Sequence, residues 1–373
     1  MPQATLLPAP EAARTANGVD LASAWGSQLQ RQTVPVALDD DRVFVPITVT
    51  PDGQHLIGSA IARRFGTEPG RLVLLEVTSR RVTEIRHLPT PFTQAVGAAA
   101  DQQWIVWSEA AQQPNFSDWT LYAYNRATGE TKQVAAAPLD QSGKPVNGPY
   151  VLPRLDRGIV TWAEGIPGAV DQFGIAVKAA NLADGTVQTL SSSGLTPTIS
   201  WPHVAWVEIQ AEESSQVEGA KKGIVVVQNL ESGQKKSLTQ IDTPLFFNLH
   251  GDTIVWINVT GKQVVLTDLA ETSQQVIAHT DDTDETFQFP ALNDRLVTWI
   301  GYKKAQVWDR LQQRLVTLED GKGQITEFVN GQTLVWAAPG DVSAEQRQAD
   351  RRAGLRPNDG LLYVVNSAQL PER

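Results

Sequence analysis

The sequence predicts an all-β fold, a β-propeller built from four-stranded antiparallel blades. The first observation is a short apolar run containing tryptophan, which recurs at intervals of 37 to 55 residues. The second is a hairpin pattern after each run, in which a tight turn joins two strand-like segments. The third is an extra strand-like segment near the N-terminus. Repeats with a period near ~45 residues are typical of propellers, in which each repeat forms one blade.

The clearest copy of the repeat spans residues 104–134. Ile105, Val106 and Trp107 form a continuous apolar run, as expected for a strand that is buried on both faces. Residues 120–125 alternate between polar and apolar types, which indicates a half-exposed strand. Gly129 suits a tight turn, after which residues 131–134 return as a short outer strand. The repeat therefore contains an inner strand B, a loop, and a hairpin of strands C and D.

The number of copies predicts the number of blades. The strand B tryptophan recurs in five later copies, at Trp162, Trp206, Trp256, Trp299 and Trp336. A degenerate earlier copy has Leu-Ile-Gly at residues 56–58, and its hairpin at 71–85 aligns without a gap with residues 120–134. Seven copies predict a seven-bladed propeller.

The two ends of the chain predict how the ring closes. The last copy has a strand C at residues 361–365, and the eight residues after it are few for a turn and an outer strand. Residues 32–38 are strand-like and are not needed by the first blade. We therefore expect this N-terminal strand to complete the last blade, which also hides a sheet edge. The expected organisation is a linker or tether at 1–30 and a single propeller domain at 31–373.

Composition excludes several classes of function. The net charge is −10, from 31 basic and 41 acidic residues, which argues against nucleic-acid or anionic-membrane binding. The chain has no cysteine, so disulfides, thiolate catalysis and cysteine-ligated metals are excluded. No segment approaches the ~18 continuous apolar residues of a membrane span. We expect a monomer without a cofactor and without membrane insertion.

The repeat resembles a known family. Residues 105–109 read Ile-Val-Trp-x-Glu, residues 119–134 contain Leu-Tyr-x-Tyr-Asn-x-x-Thr-Gly-Glu, and residues 50–53 read Thr-Pro-Asp-Gly. These patterns resemble the TolB-like and WD-like surface propeller repeats of bacteria and archaea, over roughly residues 43–365. The resemblance implies an extracytoplasmic propeller that binds proteins or polymers rather than catalysing a reaction. Residues 1–24 show no signal sequence, so either the protein is cytoplasmic or a signal or anchor has been removed. The resemblance favours the second alternative, with a secreted, periplasmic or cell-surface location.

The connections predict which face is functional. In a four-stranded meander, the B–C and D–A connections share one face, and the A–B and C–D turns share the other. The long insertions fall almost entirely on the first face, here named the loop-rich face: 62–70, 110–118, 135–148, 165–173, 209–222, 278–285 and 338–359. Long loops on a rigid scaffold are where binding residues usually lie, although such insertions are also simply tolerated there. The last insertion contains a capping-box signal at Ser343 and a helix-prone run at 344–353.

Three glutamates form a repeated acidic feature. Glu109, Glu164 and Glu208 each follow the strand B tryptophan by two residues. They could form an acidic arc that receives a cation or a basic peptide. The favoured alternative is a structural device, in which each carboxylate accepts loop N–H groups or pairs with a nearby arginine.

Aromatic side chains at the start of the A strands are candidates for a binding funnel. Phe92, Tyr150, Phe246 and Phe287 are expected at the loop-rich end of the central channel, where aromatic rings can stack on sugars or hold apolar side chains. Packing between blades explains them equally well. Phe116 and Trp119 on a neighbouring loop add to the binding interpretation.

The densest carboxylate run, at residues 281–285, is a weaker candidate. Asp281, Asp282 and Asp284 carry the hard oxygen ligands that Ca²⁺ prefers, but the spacing lacks an EF-hand glycine. A solvated acidic loop is the favoured interpretation, and no metal is expected.

The leading functional prediction is a non-enzymatic binding or scaffold module that recognises a protein or a glycan through the loop-rich face. The sequence contains no nucleophile elbow, phosphate loop or dinucleotide fingerprint. One alternative is a carbohydrate-active enzyme with carboxylates in the funnel, since paired acids leave no local sequence pattern. The other is a purely structural propeller.

Overall fold

A computed structural model describes residues 18–111, 116–169, 174–214, 221–301, 303–320, 327–338, 340 and 342–372. Seven sheets form a seven-bladed β-propeller, as predicted, and each blade is a four-stranded antiparallel meander. Successive A strands pack against one another, so they surround the centre of the ring. No helix in the described part of the chain is long and apolar enough to cross a membrane.

The first four blades follow one another in the chain. Blade one contains β3 (Arg42–Val49), β4 (His55–Ala62), β5 (Arg71–Glu76) and β6 (Val82–His87). Blade two contains β7 (Gln94–Ala100), β8 (Trp104–Ala110), β9 (Thr120–Asn125) and β10 (Thr131–Ala136). Blade three contains β11 (Arg154–Asp156), β12 (Ile159–Gly165), β13 (Ile175–Asn181) and β14 (Val187–Ser191). Blade four contains β15 (Gly194–Ser200), β16 (His203–Ser214), β17 (Lys221–Asn229) and β18 (Lys235–Asp242).

The remaining blades include the first and last described strands. Blade five contains β19 (Phe246–His250), β20 (Thr253–Ile257), β21 (Gln263–Asp268) and β22 (Gln274–His279). Blade six contains β23 (Gln288–Leu292), β24 (Leu296–Ile300), β25 (Lys304–Asp309), β26 (Arg314–Asp320) and the short β1 (Val19–Asp20). Blade seven contains β27 (Glu327–Asn330), β28 (Thr333–Ala338), β29 (Leu361–Asn366) and β2 (Gln32–Pro35). Two α-helices, α1 (Leu21–Trp25) and α2 (Ala344–Arg352), and a 3-10 turn at Ser367–Gln369 complete the described structure.

The N-terminal strand closes the ring, as predicted. Strand β2 pairs antiparallel with β29, with Gln32 opposite Val364, and so becomes the outer strand of blade seven. Val34 is 1% exposed in the core that blades seven and one share. Part of the segment predicted as a linker also packs on the ring: β1 runs parallel to β26, and Trp25 is buried against blade six.

The strand B tryptophans form the centres of the blades. The largest side chains that are almost fully buried include Trp107, Trp162, Trp206, Trp299 and Trp336. Each lies in an apolar cluster, and these clusters join neighbouring blades. Burying a large aromatic side chain contributes roughly 2–3 kcal/mol through the hydrophobic effect. The same periodicity that predicts the fold therefore also supplies its core.

Short polar links join neighbouring blades on the face opposite the loops. An A–B turn side chain of one blade accepts a hydrogen bond from a backbone N–H of the next. These pairs are Asp101 with Gly158 (2.7 Å), Asp156 with Trp201 (2.7 Å) and Ser200 with Gly251 (2.8 Å). These bonds tie together the A–B ends of blades two to five, on the face opposite the long loops.

Candidate functional site

The structure has the predicted asymmetry between its faces. The A–B turns contain between two and five residues. The long connections, at 63–70, 137–153 and 339–360, lie on the loop-rich face. Helix α2 belongs to the last of these, and the Ser343 side chain accepts a hydrogen bond from the Gln346 N–H at 3.2 Å, as the capping box predicts.

Helix α2 is anchored to the B–C connection of blade one. Arg63 donates to Asp350 of the helix at 3.0 Å, and the Arg356 N–H donates to the Arg63 carbonyl at 2.8 Å. Arg347 pairs with Asp359 at 2.9 Å and ties the two ends of the insertion together. The insertion therefore forms a structured wall on the loop-rich face.

Exposed aromatic rings concentrate on this face. Four aromatic side chains of the described residues are highly exposed: Phe65 (64%), Phe92 (60%), Tyr150 (54%) and Phe289 (40%). All four lie in B–C or D–A connections or at the loop-rich end of an A strand. Exposed aromatic rings on one face are a common mark of an interaction surface.

Phe65 and Phe92 border a groove of about 710 Å³ between blade one, blade two and the α2 insertion. Arg64 and Arg356 line it beside the aromatic rings, and the acidic lining residue Glu68 is paired with Arg42. The Arg356 guanidinium lies over the ring of Phe65, 4.8 Å from its centroid. The groove thus offers both flat apolar surface and positive charge, on a chain whose net charge is negative.

A second, smaller pocket lies at the mouth of the central channel. Its volume is about 80 Å³, and blades three to six contribute to its walls. Tyr150, Phe246 and Phe289 line it, together with Arg154. The rings of Phe246 and Phe289 pack with their centroids 4.5 Å apart, and Phe116 packs on Tyr150 at 5.5 Å. Two of the predicted A strand aromatics, Tyr150 and Phe246, therefore meet in one pocket, and Phe92 lies apart in the groove.

The channel position predicted for Phe287 is wrong. Phe287 is 4% exposed and packs edge-on against Trp299, with ring centroids 5.8 Å apart. The next aromatic residue, Phe289, faces the pocket instead. A β-bulge between Gln288 and Ala291 shifts the register of β23, and Phe289 has a φ of +46°. A bulky residue in the left-handed region is strained, and such strain is concentrated at functional sites.

The two loop aromatics have different environments. Trp119 is 3% exposed and packs in the core of blades two and three, so its predicted place on a binding surface is wrong. Phe116 is partly buried, and it supports the pocket through its contact with Tyr150. Burial of Trp119 follows from the blade itself, because the residue directly precedes strand β9.

The three glutamates share one structural role. Each accepts a hydrogen bond from the indole N–H of the tryptophan two residues earlier. The distances are 2.8 Å for Trp107 and Glu109, 2.7 Å for Trp162 and Glu164, and 2.5 Å for Trp206 and Glu208. The pattern is a repeated device, as the structural alternative states, but the shared donor is an indole rather than a loop N–H.

The second partners of the glutamates differ from blade to blade. Arg86 donates two hydrogen bonds to Glu109, at 2.9 and 3.2 Å, and these bonds raise the pKa of Arg86. Lys178 lies 3.5 Å from Glu164, and the Ser191 hydroxyl donates to Glu208 at 2.9 Å. Each carboxylate is therefore engaged within or beside its own blade.

The acidic run at 281–285 is tied to neighbouring side chains. His279 contacts Asp281 at 2.7 Å, Lys303 pairs with Asp282, and the Asp284 N–H donates to Asp282 at 3.0 Å. The hydrogen bond from Lys303 lowers the pKa of Asp282. In the described ranges, no cluster of three or more histidine, aspartate or glutamate side chains could hold a metal ion.

Arg154 is a pocket residue that sequence reasoning missed. It lies at the start of the three-residue strand β11, and its side chain reaches the channel mouth. Burial lowers the pKa of its guanidinium, and within the described residues this group has no carboxylate or hydrogen-bond partner. The sequence does show a cation in an A strand, which could have identified Arg154 as a channel residue. Strand β11 has only three residues, however, so its pattern does not indicate which face the side chain occupies.

Comparison with solved structures supports the fold. A post-proline cleaving enzyme from Rickettsia typhi has a TM-score of 0.54 at 7% identity, over 82% of this chain and 51% of that one. A prolyl endopeptidase has a TM-score of 0.51 at 9% identity, over 83% and 46%. An oligogalacturonate lyase in complex with manganese has a TM-score of 0.46 at 12% identity, over 68% and 72%.

The seven sheets define the class of protein as a seven-bladed β-propeller, and the two proline-specific enzymes, with TM-scores above 0.5, support that fold alone. The chain spans about half the length of the two proline-specific enzymes. It matches no protein-family model, and no curated protein is similar to it in sequence. The TolB-like resemblance therefore stays a prediction.

Proposed function

We propose that this propeller is a non-enzymatic binding module that takes a protein or glycan partner on its loop-rich face. The observation that carries the proposal is the position of Phe65, Phe92, Tyr150 and Phe289, the highly exposed aromatics of the described residues, on one face. Leaving such rings in water is unfavourable, and a partner that covers them gains their burial.

The positive groove supports a partner with acidic groups. Arg64 and Arg356 line the same groove as Phe65 and Phe92. Arginine stacks on aromatic rings and also forms paired hydrogen bonds to carboxylates, so a partner that offers both chemistries would be selected there.

The enzymatic alternative has less support. A funnel glycosidase needs two carboxylates that face one substrate across a short gap. Glu109, Glu164 and Glu208 each hold the indole of their own blade instead. A location outside the cytoplasm and a TolB-like kinship fit a binding module, and both belong to this proposal as expectations.

A paired-variant capture experiment tests the proposal. The immobilised protein would be exposed to a glycan array and to bacterial envelope extract, alongside the double variant Phe65→Ser/Phe92→Ser. The control is Val187→Ser/Leu311→Ser, which removes exposed apolar side chains of 53% and 56% exposure outside the loop-rich face. We expect the first variant to lose the captured partner and the second to keep it. Equal capture by all three proteins would refute the proposal.

A further inference from the structure

The guanidinium of Arg154 is a charge without a partner in the part of the chain that the structure describes. Burial lowers the pKa of this group, and no neighbouring carboxylate compensates for that effect. The Arg154 side chain is half-buried and lines the pocket at the channel mouth, so its N–H donors are open to water or to an anion that enters there. By contrast, Arg86, Arg295 and Arg347 each contact a carboxylate.

The surroundings of Arg154 define what kind of anion fits. Pocket walls are formed by aromatic rings, by Leu152 and by prolines 149, 197 and 290. One cation suits one negative charge, and a phosphate dianion would leave a charge uncompensated in an apolar site. A sugar acid would bring several hydroxyls, and besides Arg154 the lining offers only the side-chain hydroxyls of Tyr150 and Thr196 to them. A carboxylate attached to an apolar group suits the pocket, because the carboxylate can pair with Arg154 and the apolar group can pack on the walls.

Pocket size restricts the ligand further. A volume of about 80 Å³ is well below the roughly 300 Å³ at which pockets enclose a whole drug-sized ligand. The pocket therefore accommodates one end of a larger partner. The last residue of a peptide carries its carboxylate and its side chain on the same carbon, which matches a cation and aromatic walls in one small space.

We infer that the channel mouth binds the C-terminal residue of a peptide, with Arg154 pairing with the terminal carboxylate and Phe246 and Phe289 packing on an apolar side chain. Capture of a terminal carboxylate is an established mode of peptide recognition. This inference rests on the proposed function, and it names the partner class and the residue that selects it.

Calorimetric titration of the full chain with a matched probe pair tests the inference. The probes are acetyl-Ala-Ala-Ala-Phe with a free carboxylate and the same peptide as its uncharged amide. We expect the free acid to bind at least about tenfold more tightly than the amide, because only the free acid carries the negative charge that pairs with Arg154. Equal binding of the two peptides, or no binding of either, would overturn the inference.

Substitutions test whether Arg154 causes the difference in binding between the two peptides. Arg154→Gln should weaken binding of the free acid about 10- to 100-fold and bring it to the level of the amide. Arg157→Gln, at an exposed position of the A–B turn on the opposite face of the same blade, should change nothing. Arg154→Gln should also unfold at or above the wild-type temperature, since it removes an unpaired cation, so loss of binding would not reflect loss of fold.

Two further outcomes separate the inference from the proposed function. Trigalacturonate binding that depends on Arg154, with no peptide binding, would replace the peptide by a sugar acid and overturn the inference. The inference would be overturned if Arg154→Gln bound the peptide as tightly as the wild type does. The proposed function would still stand if Phe65→Ser/Phe92→Ser abolished capture of the partner. Failure of both variants to change anything would end both.

Discussion

The strand B tryptophans of blades two to four serve two purposes. Their rings fill the blade cores, while each indole N–H needs an acceptor once it is buried. Glu109, Glu164 and Glu208 supply that acceptor at a fixed spacing of two residues. Residues two apart lie on the same face of a strand, so the geometry follows from β-structure alone. This explains a repeated acidic pattern that requires no ligand.

The first prediction concerns Glu109. Substitution Glu109→Gln keeps an acceptor for Trp107 but removes the charge that pairs with Arg86. Because Glu109 is 5% exposed, we expect the free energy of unfolding to fall by about 1–3 kcal/mol. Glu208→Gln, whose second partner is the Ser191 hydroxyl, should cost less. Urea denaturation of both variants measures the difference, and a larger loss for Glu208→Gln would contradict the assignment.

The second prediction concerns Asp52, in the Pro-Asp-Gly element of blade one. Burial raises the pKa of this carboxyl, but hydrogen bonds from the Thr50 hydroxyl, Arg126 and the Gln54 N–H outweigh burial and lower it to about 2. Because the pKa of Asp52 is lower in the folded state than in the unfolded state, the ionised carboxylate stabilises the fold at pH values above the unfolded-state pKa of ~4. This contribution is lost as the pH falls towards the folded-state pKa of about 2.

Urea denaturation at pH 6, 4 and 3 tests the effect of Asp52. With solvent screening, Asp52→Asn should lower the free energy of unfolding by about 1–2 kcal/mol at pH 6, and the difference from wild type should shrink by pH 3. Asp252→Asn, which changes a carboxylate that is 85% exposed, provides the control. A difference that does not depend on pH would refute the role of the ionised carboxylate.

At the scale of elements, the sequence does not predict which face each A strand side chain reaches. Strict alternation places Phe287 and Phe289 on the same face, yet one lies in the core and the other in the channel mouth. The bulge in β23 makes the difference, and β15 has a similar irregularity at Thr196, where φ is +47°. In both strands the residue at positive φ precedes a proline. A bulge changes which face a side chain reaches, and the residue pattern does not fix its position.

One carboxylate in blade six links segments near the two ends of the described chain. Asp309 is fully buried, and it accepts hydrogen bonds from the Trp25 indole at 3.0 Å and from Arg295 at 3.1 Å. Arg295 also donates to the Leu370 carbonyl at 2.7 Å. The N-terminal helix α1 and the C-terminal turn are therefore held at the same C–D corner of the ring.

The third prediction follows from this arrangement. Asp309→Ala leaves the buried charge of Arg295 without its carboxylate and the N–H of Trp25 without its acceptor, so the free energy of unfolding should fall by about 3–5 kcal/mol. Asp294→Ala in the same blade is the control, because Asp294 is 95% exposed and its contact with His250 lies at the surface. Thermal unfolding followed by circular dichroism measures both. Similar melting temperatures for the two variants would show that Asp309 does not hold the termini.

At the scale of the whole molecule, the sequence predicts the architecture well because the ring repeats one packing solution. Each strand B tryptophan marks a blade, and the missing outer strand of blade seven predicts closure by β2. The candidate site could not be predicted in this way, because its pocket combines side chains from several blades that share no sequence pattern. Arg154 and Phe289 come from different blades and meet only when the ring closes.

The central claim is that the loop-rich face is the binding surface of this propeller. Hydrogen exchange of the protein, free and bound to the partner that the capture experiment recovers, tests it most directly. We predict that protection on binding will be concentrated in the connections at 63–70, 88–93 and 137–153 and at the channel mouth around Arg154. Protection concentrated instead in the C–D turns at 182–186 and 230–234 would contradict the claim.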